Sequence, residues 1–82
     1  MHFCYVLYSS NLDKYYIGST SDQLEERLRK HNSNHKGFTG SVNDWLIMYF
    51  EEFTDLKLAR KREREIKAKK SRTFIEKLIT KH

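Results

Sequence analysis

Among the residues able to carry chemistry in this 82-residue chain, one acidic side chain stands apart. Residues 57–72 hold nine Lys/Arg against only Glu63 and Glu65, a local charge of +7 in a chain whose total is +5. Wound as a helix at about 100° per residue, this stretch places Leu56, Ala59 and Ile66 within a stripe about 80° wide. Glu63 lies inside that stripe, and Glu65 points the opposite way. A carboxylate on a buried stripe is costly unless it is paired with a cation or bound to a metal. Spacing alone leaves both readings open: an ion pair with a nearby arginine, or a metal ligand. Arg27 and His31 are four residues apart and share one helix face. Arg and His are also common on helix faces that only meet solvent.

Other candidates are weaker. His31 and His35 are also four apart, but the residues between them break helices and no acidic third ligand is adjacent, so zinc is not expected. Glu51 and Glu52 read as the polar end of a strand rather than as ligands. Cys4 is the only cysteine and sits in an apolar run, which favours packing over reactivity. A lone cysteine excludes an internal disulfide and suits a reducing compartment, so a cytoplasmic location is expected. The longest apolar run is six residues, too short to span a membrane. On charge alone the basic stretch suits a polyanionic partner and a plain solvated helix face equally well.

These side chains need a scaffold, and the length allows a single domain over residues 1–82 with a modest core. Phe3 to Tyr8 and Tyr15 to Ile17 are apolar runs flanking Ser9 to Lys14, which reads as a hairpin. Phe3 to Tyr8 is apolar throughout and is expected to be covered on both faces. Alternation puts Phe3, Tyr5 and Leu7 on one face, Cys4, Val6 and Tyr8 on the other. A first helix is expected over residues 22–32, capped by Asp22 with Glu25 and buried through Leu24 and Leu28. A polar loop follows, in which Lys36 and Thr39 could touch a phosphate backbone, ordinary loop solvation being the plainer reading. A third strand over residues 45–53 is bulky on both sides until Glu51 and is expected to be packed on both. A second helix over residues 55–70 starts at Thr54 or Asp55. A short third helix over residues 72–81, capped by Ser71, docks through Phe74, Ile75, Leu78 and Ile79. The fold class is α/β: a small three-stranded antiparallel sheet flanked by about three helices.

Three stretches together carry a resemblance. Tyr5 stands in Phe3-Cys4-Tyr5, eleven positions ahead of an intact Tyr16-Ile17-Gly18. Arg27-Leu28-Arg29-Lys30-His31-Asn32 fits the pattern Arg-Leu-x-x-His-Asn. Ala59 precedes Glu63 by four residues. In this order and spacing, over residues 3–67, the chain resembles the GIY-YIG nuclease family. The basic helix followed by Lys70-Ser71-Arg72 is most similar to its small stand-alone bacterial members, relatives of the nuclease domain of the excision-repair incision subunit. Two departures stand out. Tyr16 to Arg27 is one residue longer than the family spacing, which an extra residue at Gln23 in the turn would absorb. A site asparagine that some members carry is missing, its region reading Phe74-Ile75-Glu76.

The resemblance implies a divalent-metal-dependent endonuclease that hydrolyses DNA phosphodiester bonds, branched or damaged DNA included. It implies Tyr5, Tyr16, Arg27, His31 and Glu63 as the catalytic set, with Glu63 holding one Mg²⁺ or Mn²⁺. A planar, permanently charged guanidinium such as that of Arg27 can meet two non-bridging phosphate oxygens as they gain charge. Lys36, Arg60, Lys67, Lys70 and Arg72 are the residues expected against the nucleic-acid backbone. No obligate protein partner and no membrane are expected. The alternative is a non-catalytic module that holds nucleic acid through the basic helix 57–72.

Overall fold

Aromatic and β-branched residues dominate the N-terminal runs, and they pair. In the computed structural model, which describes residues 1–33 and 42–80, β1 (His2–Ser9) and β2 (Lys14–Thr20) form an antiparallel hairpin. β3 (Leu46–Phe53) pairs antiparallel with the other side of β1, giving the order β2-β1-β3. β1 is therefore central, and Cys4 to Leu7 are all buried, as the unbroken apolar run predicts. The helices are α1 (Leu24–Asn32), α2 (Leu56–Lys69) and α3 (Arg72–Thr80). Among the described residues no helix is long and apolar enough to cross a membrane. Lys36 and Thr39, expected against phosphate, and His35 lie outside the described residues.

Strand alternation divides the core into two layers. Cys4, Val6 and Ile17 face Tyr49 and Ile66, with Phe74 and Ile75 of α3 packed against them. Tyr5 and Leu7 face Leu24 of α1 and Trp45 on the opposite side. Burial pushes the Cys4 thiol up to about 12, with the Glu51 and Glu63 charges adding to the effect, so it packs and does not react. α2 presents Ala59 and Ile66 to the sheet on the stripe expected of it, and Asp55 caps it by accepting from the Lys57 N–H at 2.9 Å. Ser71 caps α3, its hydroxyl accepting from the Phe74 N–H at 3.1 Å.

Three expectations are corrected. β3 is not covered on both faces: Leu46, Met48 and Phe50 are exposed. It is an edge strand, and a register irregularity opposite Val6/Leu7 turns its outer positions away. Glu51 is no polar strand end either. It is half-buried, accepts from the Tyr49 hydroxyl, and pairs with Arg62 at 3.1 Å. At α1, Asp22 is not the cap. Gln23 takes that position without a side-chain bond. The Asp22 N–H instead donates to Thr20 Oγ1 at 3.0 Å and its carboxylate pairs with Lys30 at 3.1 Å, which draws the acid away from the first turn.

Two polar brackets that give no spacing signal hold the loops. Asp44 accepts from the Ser9 hydroxyl at 2.6 Å and the Asn11 N–H at 2.9 Å, tying the hairpin turn to the start of β3. Asn32, the last residue of the Arg-Leu-x-x-His-Asn stretch, accepts from the Trp45 N–H at 2.8 Å and donates to the Trp45 carbonyl at 3.1 Å. This fixes the end of α1 to the residue that floors the α1 face of the sheet.

Candidate active site

The α1 face gathers four of the five proposed catalytic residues around one phenol. Tyr5 is 1% exposed. Its hydroxyl lies 2.9 Å from His31 Nε2 and accepts from Arg27 Nε at 3.3 Å. The Tyr16 ring lies 6.5 Å from the Tyr5 ring and 4.8 Å from the His31 ring, with Trp45 at 6.3 Å behind it. Register explains the grouping. Tyr5 is opposite Gly18 and Leu7 opposite Tyr16, so both tyrosines share the face that α1 covers. Arg27 and His31, four apart on α1, reach the same hydroxyl. Gln23 sits in extended backbone ahead of Leu24, so the extra residue is absorbed before the helix and the Arg27/His31 face keeps its register.

Gly18 makes room for this. A Cβ at position 18 would fall 2.6 Å from Tyr5 Oη and 2.7 Å from Tyr5 Cζ, closer than side chains tolerate.

The electrostatics oppose one another at Tyr5. Burial pushes its phenol above the usual tyrosine value, the Arg27 hydrogen bond and charge pull it down, and Tyr16 and Glu63 push it up, leaving it raised. The Tyr5 hydrogen bond outweighs burial at Arg27 and holds the guanidinium more firmly charged. Tyr5 accepts from Arg27, and in its bond with His31 the imidazole tautomer decides which of the two donates.

Glu63 approaches from the other face of the sheet. Its Oε1 accepts from the Ser19 hydroxyl at 2.6 Å and its Oε2 from Lys67 Nζ at 2.6 Å. Ser19 follows Gly18, and the parity that aims Tyr16 at α1 aims Ser19 at α2. The acid thus meets the sheet one residue from the glycine beneath the Tyr5 hydroxyl, and its charge is felt at Tyr5. Its side chain is 20% exposed. The ion-pair reading of Glu63 is realised here, with a lysine one turn on rather than an arginine.

Among the described residues no group of three His, Cys, Asp or Glu is gathered for a metal. Two oxygen groups at Glu63, its carboxylate and the neighbouring Ser19 hydroxyl, are of the kind a hard dication takes while keeping several waters, and Lys67 Nζ now occupies the carboxylate as a cation. Ser19 is the partner that sequence reasoning missed, and strand parity was the one signal able to find it.

The proposed backbone-binding residues fare differently. Arg60 and Lys70 are exposed. Lys67 and Lys70 line a cavity of about 360 Å³ between β2 and the α2–α3 junction, floored by Tyr15, Ile17, Ile66 and Ile75. Arg72 also lines this cavity, but its guanidinium is already paired. It pairs with Asp13 at 2.7 Å and Glu76 at 3.1 Å and lies over the Tyr15 ring at 5.2 Å, latching α3 to the hairpin turn. Glu76, in the region without the family's asparagine, serves that latch.

No curated protein and no solved structure matches the chain at a significant level. The family model of the GIY-YIG catalytic domain matches residues 1–77, almost the whole length. With its three-stranded antiparallel sheet, flanking helices and the order of Tyr5, Tyr16, Arg27, His31 and Glu63, the chain belongs to the GIY-YIG nuclease family.

Proposed function

We propose that the protein is a divalent-metal-dependent endonuclease that hydrolyses phosphodiester bonds in DNA. The observation that carries this reading is the Tyr5 hydroxyl held between a permanent cation, Arg27, and a base, His31. Tyr5, as its phenolate, takes the proton of the attacking water, and His31 orients the Tyr5 oxygen by its hydrogen bond. Arg27 serves twice: it stabilises the phenolate and presents its remaining N–H groups to the non-bridging oxygens as they gain charge. Tyr16 and Trp45 wall the pair and hold the His31 ring. Glu63, with Ser19, would hold one Mg²⁺ or Mn²⁺, which when bound supplies charge neutralisation at the phosphate and at the leaving oxygen.

The test is conversion of supercoiled plasmid to nicked circle. Nicking is expected with Mg²⁺ and none with EDTA. DNA binding without cleavage under every metal condition would favour a non-catalytic module built on residues 57–72.

The raised phenol also sets a pH dependence. A group pushed above its ordinary value is protonated at neutral pH, so its base form grows as pH rises. Between pH 7 and 9 the logarithm of kcat/KM is expected to rise with a slope of about one. Tyr5→Phe is expected to be slower and to lose that slope. The same slope in Tyr5→Phe would assign the titration to another group.

A further inference from the structure

Lys67 stands between an anion and a cavity. Its Nζ is 2.6 Å from Glu63 Oε2, and its side chain also lines the cavity between β2 and the α2–α3 junction. The two partners differ in how freely they move. Glu63 is enclosed and held on its other oxygen by Ser19, whereas Lys67 is 51% exposed on a flexible stem. The carboxylate is the fixed member of the pair and the ammonium the movable one. Lys70, one turn further on at the helix end, adds a second cation to the same cavity wall.

We propose that Lys67 is a built-in stand-in cation: it neutralises Glu63 while no divalent ion is present, and on being displaced turns into the adjacent cavity to take a phosphate of the nucleic-acid backbone. The inference rests on the reading of Glu63 as the metal ligand. It makes metal occupancy and backbone grip one coupled equilibrium. A cation at Glu63 frees a charge for the substrate, and substrate phosphate that holds Lys67 favours the cation in return. Without an ion, Glu63 keeps the charge to itself and nucleic acid is held less tightly. Lys67 acts here as a positioning residue through Glu63 and the backbone.

Two measurements on the full-length protein test this. In the first, Mn²⁺ binding is followed by calorimetry without DNA. Lys67→Met is expected to bind the ion about two- to fivefold more tightly, the size of a partly exposed pair's contribution. Lys67→Arg should stay near wild type. Lys61→Met, which removes a charge from the opposite side of α2, should not move the affinity. In the second, a single-stranded oligonucleotide is titrated in EDTA. Glu63→Gln, which releases Lys67, is expected to tighten binding severalfold, and Lys67→Met in the same chain is expected to cancel that gain. An unchanged Mn²⁺ affinity in Lys67→Met, or an equal gain from Glu63→Gln with and without Lys67, would overturn the proposal while leaving Glu63 as ligand. If Glu63→Gln leaves the Mn²⁺ heats unaltered, the ion is not held at Glu63, and the metal reading falls together with this one.

Discussion

Glu63→Gln is expected to slow plasmid nicking at saturating Mg²⁺ about a thousandfold with little change in thermal stability. A Lewis acid at a phosphoryl oxygen stabilises the transition state by several kcal/mol, and about 4 kcal/mol corresponds to a factor of about 10³. The amide is isosteric and its oxygen can still accept from Ser19, which keeps the side chain in place while the charge that held Lys67 is gone. What it lacks is the charge that attracts a dication. The fold loses one partly exposed ion pair, worth about 0–1 kcal/mol. Nicking rates and a melting curve on the same preparation separate the two effects. Wild-type nicking by Glu63→Gln would remove the acid from the mechanism.

Gly18→Ala is expected to harm both stability and rate. The added methyl would meet Tyr5 Oη at 2.6 Å and Cζ at 2.7 Å. The Tyr5 ring cannot retreat cheaply, since it is 1% exposed and its hydroxyl is engaged by Arg27 and His31. Overpacking of this kind costs about 1–3 kcal/mol. A displacement of about 1 Å at a reacting hydroxyl lowers rate by about 10²-fold. The combined outcome is a lower melting temperature together with a slower, still metal-dependent nicking reaction. If the clash is as drawn, Gly18→Ala combined with Tyr5→Phe recovers part of the stability and none of the rate. An alanine variant as stable and as fast as wild type would show that the hydroxyl does not need the space.

Much of this architecture was legible in the residues. The run Phe3 to Tyr8, apolar at every position, suggested a strand covered on both faces, and β1 is indeed central. The stripe of Leu56, Ala59, Glu63 and Ile66 marked the buried side of α2, and the Arg27/His31 spacing marked a shared face. What was not legible depends on neighbours distant in sequence. Strand order decides whether an apolar run such as Leu46 to Phe50 is central or at an edge, and the run itself reads the same in both cases. The Asp22 cap failed because Ser19, Thr20, Ser21 and Asp22 are all capping residues, and Thr20 took the competing bond. Asp44 and Asn32 act through backbone groups of other segments, so no periodicity reveals them. Arg72 looked like one more cation of a basic run. Its partners are Asp13, from a distant turn, and Glu76, one turn further along its own helix.

The sheet also carries its own unfolding reporter. Cys4 lies at the middle of the central strand, 1% exposed, with its thiol pushed up to about 12. Alkylating reagents need a thiolate and a path to it, and the native chain offers neither. Labelling therefore waits until β1 separates from its neighbours, and the rate of mass gain under mild reagent counts the openings of the whole core. A single sulfur atom thus acts as a clock for this domain's breathing.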